Sequence, residues 1–532
     1  MLDRGLGRAA FLFVLSHVHN PFNGILMVMI DEYVQLILTA RVYDVAKKTP
    51  LDLAPELSRR LDNTVWLKRE DLQPVFSYKL RGAYNLMSHL SPAERQRGVI
   101  TASAGNHAQG VALAAQRLDL RAIIVMPKTT PEIKVAAVRR LGAEIVLHGN
   151  TYDDACEHAH RLEEERGLCF VHPYDHPLVI AGQGTVGKEI LEQHSGDLHA
   201  IFVPVGGGGL IAGIAAYVKQ LVPAIKIIGV ESDEAPSMRE ALKAGERIVL
   251  EHIGIFADGA AVRQVGAEPF RIARKFVDEV LLVTNDEICA AVKDTFEDTR
   301  SIPEPAGALA LAGLKQYVAG AKLSGRNLVA IFSGANVNFD RLRHIAELAE
   351  LGEQREALLG VTIPEHPGSF RAFCHALGAR SITEFNYRYA DLRDAQVFAG
   401  IQLRHGVTEK NDLIASLQAK GYPVADLSNN DMAKVHIRYM VGGRAGPIAD
   451  EILFRFEFPE RPGALLHFLT ELGDRWNISL FHYRNHGAAY GRVLVGIQVS
   501  ERERKDFDTF LNGLGLVYAE ETTNPAYAMF LR

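Results

Sequence analysis

Cysteine is scarce and scattered: the chain of 532 residues has 4 of them, Cys156, Cys169, Cys289 and Cys374, and no C-x-x-C pair. That excludes a disulfide scaffold and a redox dithiol and leaves no zinc cage. The nearest thing to a metal cluster is Cys156, His158 and His160 in CEHAH. Four-apart pairs share a helix face without any ligand role, so a structural helix is the preferred reading and no metal is expected. A cationic excess is also missing. Lys+Arg 58 against Asp+Glu 64 gives a net charge of -6, with no basic stripe for nucleic acid. Nor is there an uninterrupted run of about 20 apolar residues, the length a membrane span requires. Residues 9–30 come closest, but His17, His19, Asn20, Pro21 and Asn23 break them and no small-residue cleavage site follows. A start at Met27 or Met29 accounts for this stretch equally well. Residues 1–40 are therefore set apart as an N-terminal extension of uncertain status, and a cytoplasmic protein without membrane or nucleic-acid partners is expected.

What remains is a globular composition, 48% hydrophobic and 23% charged, long enough for about three or four domains. From residue 60 to about 345, short β-branched runs alternate with helical periodicity, the pattern of an α/β domain with a largely parallel sheet. The strand candidates are Val99–Ala102, Ala122–Met126, Glu144–Leu147, Ala200–Val205, Ile225–Val230, Val280–Val283 and Leu328–Phe332. Three of them end in small-residue loops: SAGNHAQG (103–110), GGGGL (206–210) and SGAN (333–336). Ligands of open α/β sheets bind at the carboxyl ends of strands, so these loops point to one crevice.

The last third repeats itself. VTIPEHPGSFRAFCHALG (361–378) matches FEFPERPGALLHFLTELG (456–473), SITEFNYR (381–388) matches NISLFHYR (477–484), and VFAGIQL (397–403) matches VLVGIQV (493–499). Self-similarity in this order marks duplicated α+β modules. The expected organisation is thus a large domain at 41–349, a charged linker helix at 350–360, and modules at 361–435 and 450–532.

Four glycines after a strand and before LIAGIAAYVKQL expose backbone N–H groups beside the positive end of a helix, a natural cradle for a phosphate. A flexible turn is the plainer alternative. A dinucleotide site is another, because Gly207, Gly209 and Gly213 fit G-x-G-x-x-x-G and Glu231 ends the next strand where a ribose-binding acid would stand. In SYKLRGAY (77–84), Lys79 beside Arg81 reads by itself as solvated charge at a helix start. Its neighbours Phe76, Tyr78, Leu80 and Ala83 are apolar, however. Burial among them would lower the amine toward neutrality and make it a nucleophile and base, a Schiff-base lysine.

Taken together, SYKLRGA, SAGNHAQG, GGGGL, EPAGALALAG (304–313), SGANVNF (333–339) and the paired modules resemble the biosynthetic threonine dehydratases, fold-type II (tryptophan synthase β-like) pyridoxal-phosphate enzymes. The likeness runs from about Pro50 to the C-terminus. It departs from the family's usual SFKLRGA at Tyr78, which keeps an aromatic face for the cofactor ring. The resemblance implies that Lys79 forms the Schiff base with pyridoxal 5'-phosphate and removes the substrate Cα proton. Gly206, Gly207, Gly208 and Gly209, with Leu210, would hold the phosphate, Asn106 the phenolic oxygen, and Ser333 the pyridine nitrogen. Ser103, Ala104, Gly105, Asn106 and His107 would receive the substrate carboxylate, His107 having a helix-packing role as its alternative. A neutral hydroxyl at the pyridine nitrogen makes a weaker electron sink than an acid and favours elimination. The expected reaction is loss of water from L-threonine, giving 2-oxobutanoate and ammonia. Glu304 lies in a matching motif without an assigned role. The modules resemble ACT-like regulatory domains. Tyr387 and Tyr483, at equivalent places in the repeat, would line sites for isoleucine as inhibitor and valine as activator, unless they merely cap strand edges. A homotetramer is implied by the family. The alternatives are a serine/threonine dehydratase of broader or catabolic role, a nicotinamide dehydrogenase, and a non-catalytic amino-acid sensor.

Overall fold

In the computed structural model, residues 32–378, 380–388, 393–430, 433–434, 437–439, 448–459, 464–484, 490–524, 527 and 531 are described. The interrupted apolar stretch at 9–30 lies outside them. The chain divides into two units, Met1–Leu342 and Arg343–Arg532.

In the first unit all seven expected strands form, but in two sheets rather than one. The strands β3 (Val99–Ala102), β4 (Ala122–Met126), β5 (Glu144–Leu147) and β6 (Cys169–Phe170) make a parallel sheet of order β5-β4-β3-β6. A larger sheet has the order β1-β2-β10-β7-β8-β9, from β1 (Leu51–Leu53), β2 (Thr64–Arg69), β7 (Ala200–Pro204), β8 (Lys226–Ser232), β9 (Glu279–Val283) and β10 (Asn327–Phe332). It is parallel apart from the antiparallel edge β1. The buried runs AIIVM of β4 and AIFVP of β7 are apolar throughout, as strands covered on both faces must be.

Glycines place the helices that bear the site. The buried helix Pro177–Gln193 carries Gly182 and Gly184. A Cβ on Gly182 would stand 2.7 Å from Gly82 Cα, and one on Gly213 would stand 2.4 Å from the Ile180 carbonyl oxygen. Only glycine permits such an approach. Helices Lys79–Ser88 and Gly209–Leu221 are thereby held against one common helix, with Lys79 and Gly209 as their first residues.

Arg81 is not solvated. Its guanidinium is wholly buried, pairing with Glu70 at 2.8 Å and Glu189 at 2.6 Å and donating to Thr185 Oγ1 at 3.0 Å. Lys68, equally buried, pairs with Glu189 at 2.6 Å and donates to the Thr49 carbonyl oxygen at 2.7 Å. Two cations facing two carboxylates offset the cost of removing each from water. Part of the set-aside N-terminal segment also belongs to this unit. Residues 32–38 form a helix whose Tyr33 and Ile37 are buried, Tyr33 donating to Glu268 at 2.8 Å.

The second unit is an eight-stranded sheet of order β14-β11-β13-β12-β16-β17-β15-β18. Its first repeat holds β11 (Glu356–Pro364), β12 (Ile382–Arg388), β13 (Asp394–Gln402) and β14 (Val424–Asp426), and its second β15 (Glu451–Pro459), β16 (Asn477–Arg484), β17 (Tyr490–Gln498) and β18 (Val517–Glu520). Among the described residues the helices between these strands are Ser369–Leu377 and Gly406–Ala419 in one repeat and Ala464–Leu472 and Arg504–Gly513 in the other, giving βαββαβ twice. The segment expected as a linker helix, 350–360, is split: a helix ends at Gly352, and β11 starts at Glu356. The charge of ELGEQRE imitates a solvated helix, but ALLG continues the strand pattern into VTIP.

Duplication extends to the irregularities. Register slips in both repeats at the same place, around Thr383 and Ser479, as a β-bulge that re-aims a side chain does. Thr383 donates to Glu356, and Ser479 to Glu451. The repeats join through antiparallel β12 and β16, with Asn386 opposite His482. On the same pair of strands they have diverged: Glu384 is buried with Arg438 at 3.1 Å, whereas its counterpart Leu480 packs in an apolar cluster with Tyr527 and Leu531.

Candidate functional site

The loops after β3, β7 and β10 meet, as their positions imply. Phe76 has a left-handed backbone, φ 55°, and points outward at 55% exposure. This turn delivers Ser77 into a bridge with Gly334, so the SYK and SGAN segments lie side by side. The helix begins at Lys79, after Tyr78, and Phe76, facing outward, adds nothing to the apolar setting of the lysine. Lys79 Nζ donates to the Pro173 carbonyl oxygen at 3.1 Å and lies 5.5 Å from the Tyr78 ring centroid. Burial lowers its amine from the ordinary value to about 8, against the opposing pull of Glu304. A useful fraction is therefore neutral near physiological pH.

Tyr174, next to Pro173, connects the lysine with the glycine loop. A Cβ on Gly207 would stand 2.2 Å from the Tyr174 ring, and one on Gly209 2.9 Å from the Tyr174 carbonyl oxygen. A Cβ on Gly206 would stand 2.8 Å from the Ala260 carbonyl oxygen. Gly208, at φ 92°, turns the chain into helix Gly209–Leu221, where Leu210 is buried. The loop is thus a buried helix N-terminus whose glycines leave no room for side chains beside Tyr174 and Ala260, which fits a phosphate held by backbone N–H groups.

Gly259, beside Ala260, closes the ring of contacts: a Cβ there would lie 3.6 Å from Glu304 Oε1 and 3.7 Å from Asn106 Nδ2. Asn106, first residue of helix Asn106–Leu118, donates from Nδ2 to Glu304 Oε1 at 2.5 Å and accepts at Oδ1 from Asn336 Nδ2 at 2.7 Å. Burial, and secondarily Asp258, raises the Glu304 carboxyl to about 7, with Asn106 opposing. Ser333, buried at the end of β10, donates to the Ala306 carbonyl oxygen at 3.4 Å. Ser103 Oγ accepts from the N–H groups of Gly105 and Ala108, each at 3.3 Å. Ala104 and Gly105 complete that loop, and a Cβ on Gly105 would meet nothing within 4 Å.

His107 has the packing role held as its alternative. Its Nε2 lies 2.8 Å from the Val171 carbonyl oxygen, and burial, then Lys79, lowers it to about 3. The ring is neutral, Nε2 carries the proton, and Nδ1 is a buried acceptor without a partner.

Glu231 does not await a ribose. It is buried and caps helix Ser237–Ala244, accepting from Met238 N at 2.7 Å, Arg239 N at 2.9 Å and Ser237 Oγ at 3.2 Å. That removes the acid the dinucleotide reading needs. Cys156, His158 and His160 share helix Tyr152–Arg166, but His158 stacks on His148 at 3.9 Å and His160 on Phe170 at 4.3 Å. Residues that sequence reasoning missed are Pro173, Tyr174, Ala260 and Asn336. The first three stand in no glycine-rich or charged motif, and Asn336 lay in the SGAN loop without a role.

A desolvated lysine, a glycine cradle at a helix N-terminus, an amide and a buried hydroxyl, gathered at the carboxyl ends of parallel strands, fit pyridoxal 5'-phosphate and define a pyridoxal-phosphate-dependent enzyme. The family model described as pyridoxal-phosphate dependent enzyme matches residues 42–334, and that of the C-terminal regulatory domain of threonine dehydratase matches 347–437 and 442–531. The chain is 56% identical to the L-threonine dehydratase biosynthetic IlvA of Burkholderia multivorans, over 94% of this chain and 99% of that protein. It is 53% identical to the protein of the same name from Escherichia coli, over 94% and 97%. Among solved structures, the processed form of threonine deaminase isoform 2 from Solanum lycopersicum superposes with a TM-score of 0.60 at 52% identity, covering 61% of this chain and 89% of that one. The chain belongs to the biosynthetic threonine dehydratase family.

In the regulatory unit, the two tyrosines lie on the central strands β12 and β16, not at sheet edges. Tyr387 stands opposite Phe481, and Tyr483 opposite Phe385. Tyr387 is buried, its ring 4.7 Å from that of Phe370, and its hydroxyl donates to Glu365. Glu365 also accepts from Asn477 of the other repeat at 3.1 Å. Its carboxyl is raised above the ordinary value, chiefly by burial.

Proposed function

We propose that this chain converts L-threonine to 2-oxobutanoate and ammonia: the Cα–H and Cβ–OH leave as water, and hydrolysis of the released enamine returns a water and frees ammonia. When bound, pyridoxal phosphate supplies an electron sink that acidifies the substrate Cα–H. Lys79 would hold the cofactor through Nζ, and the same atom would accept the Cα proton. Gly206 to Gly209, with Leu210, hold the phosphate through backbone N–H groups, and Asn106 orients the ring by its phenolic oxygen. Ser333 faces the pyridine nitrogen with a neutral hydroxyl. The loop of Ser103, Ala104, Gly105, Asn106 and His107 binds the substrate carboxylate, His107 through its backbone N–H and not its ring. The observation carrying this reading is the buried Lys79 amine, 3.1 Å from the Pro173 carbonyl oxygen and lowered by burial to about 8.

The C-terminal repeats bind isoleucine as inhibitor and valine as activator at sites that include Tyr387 and Tyr483. Coupling of about 1–3 kcal/mol to the catalytic site is typical of such control. The enzyme works in the cytoplasm as a homotetramer; no helix among the described residues is long and apolar enough to cross a membrane. The decisive experiment is 2-oxobutanoate release from threonine by the wild type and Lys79→Ala, with and without isoleucine. An alanine variant of full activity refutes the assignment, and hyperbolic saturation untouched by isoleucine refutes the regulatory part.

A further inference from the structure

The polarity of the Asn106 side chain is fixed by its surroundings. Asn336 Nδ2 lies 2.8 Å from the Val75 carbonyl oxygen, which only accepts, so the atom there must be nitrogen. The same Nδ2 lies 2.7 Å from the Asn106 side chain, and it has only hydrogens to offer. The Asn106 atom facing it must therefore be Oδ1. That turns Asn106 Nδ2 toward Glu304, whose Oε1 accepts at 2.5 Å. Glu304 is itself immobile: it is 5% exposed, and a Cβ on Gly334 would stand 2.4 Å from its Oε1. Its backbone is tied to the same glycine, Glu304 N donating to the Gly334 carbonyl oxygen at 3.1 Å. Both hydrogens of Asn336 Nδ2 are used, whereas Asn106 Nδ2 spends one on Glu304 and keeps the other. Among the described residues no second acceptor stands at that nitrogen.

We propose that Asn336 and Glu304 are positioning residues: clamped between Val75 and Gly334, they lock the Asn106 amide so that its remaining N–H meets the phenolic oxygen of the bound cofactor. This rests on the reading of the site given under Proposed function. Asn336 supplies the sense of the amide, and Glu304 supplies the acceptor that keeps its nitrogen in place. Neither touches the reacting atoms.

The test uses the holoenzyme and reads cofactor dissociation by fluorescence together with the pH midpoint of the cofactor's visible band. Asn336→Asp keeps the shape but turns a donor into an acceptor facing two acceptors, which drives the Asn106 amide to flip. Loss of one hydrogen bond to a charged or ionisable group predicts cofactor binding weaker by about tenfold and a midpoint moved by about one unit. Glu304→Leu behaves alike, whereas Glu304→Gln, which keeps an acceptor oxygen, stays near the wild type. A wild-type midpoint and affinity in folded Asn336→Asp and Glu304→Leu overturn the proposal, because a merely structural role would leave the midpoint still. Should the aspartate variant not fold, Asn336→Ala is read by the same two measurements and the same criterion. Borohydride trapping in the wild type separates the two failures. A label absent from Lys79 sinks the cofactor reading, whereas a label on Lys79 with unmoved variants sinks only the positioning role.

Discussion

Replacing Arg81 by methionine tests whether the buried charge network, rather than apolar packing, holds the lysine-bearing helix. Methionine matches much of the arginine stem but removes four hydrogen bonds to carboxylates, with Glu70 at 2.8 Å from Nε and from Nη2 and with Glu189 at 2.6 and 3.0 Å. Lys68 alone would then face Glu70 and Glu189, leaving one buried negative charge unmatched. Breaking a buried pair from one side costs about 3–5 kcal/mol, and that is the expected loss in the first unit. The pH response gives a second check. In the wild type the cations around Glu70, chiefly Arg81, hold its carboxyl below the ordinary value in spite of burial. Its contribution is full above the unfolded value of about 4.5 and fades only as pH falls through the depressed folded value. In the variant, burial without arginine raises a carboxyl instead, so protonation relieves the deficit as pH falls through that raised value. The assay is urea unfolding followed by tryptophan fluorescence. The sequence has 2 tryptophans, Trp66 on β2 in the first unit and Trp476 just before β16 in the second, so a Trp476→Phe background isolates the first transition. A loss under about 1 kcal/mol, or one independent of pH, refutes the reasoning.

Gly207→Ala places a methyl against the Tyr174 ring; it should cost about 1–3 kcal/mol of stability and weaken cofactor retention, measured by dialysis and absorbance. The rate at which apoenzyme takes up pyridoxal phosphate should rise with pH through a midpoint near 8, because only the neutral Lys79 amine attacks the aldehyde; a flat profile from pH 7 to 9, read by stopped-flow absorbance, contradicts the assigned amine. Tyr387→Phe removes the hydroxyl that donates to Glu365, and should weaken isoleucine inhibition by about 5- to 20-fold while leaving the maximal rate without effector unchanged, as inhibition curves will show.

The sequence announced what depends on local chemistry. Strands such as AIIVM and AIFVP and the glycine loop follow from short windows, and the paired modules from matching segments, though not their bulges. Which strands share a sheet does not, because β2 pairs with β10 across more than half of the first unit. Arg81 looked solvated since its compensating carboxylates come from Glu70 and from Glu189, 108 residues away. Glu304 lacked a role for the same reason: its partner Asn106 lies 198 residues off. Glu231 was legible as an acid at a strand end, but its helix-capping bonds to Met238 and Arg239 appear only when the following turn is built.

The antiparallel join of β12 and β16 resembles the seam of a symmetric dimer, yet both halves are encoded in one polypeptide. In a true homodimer, every substitution near the axis appears twice and both pockets must remain alike. Covalent fusion lifts that constraint, as the ionic Glu384–Arg438 pairing on one side and the greasy Leu480–Leu531 neighbourhood on the other already record. Two copies of one design can therefore drift apart side by side inside a single polypeptide.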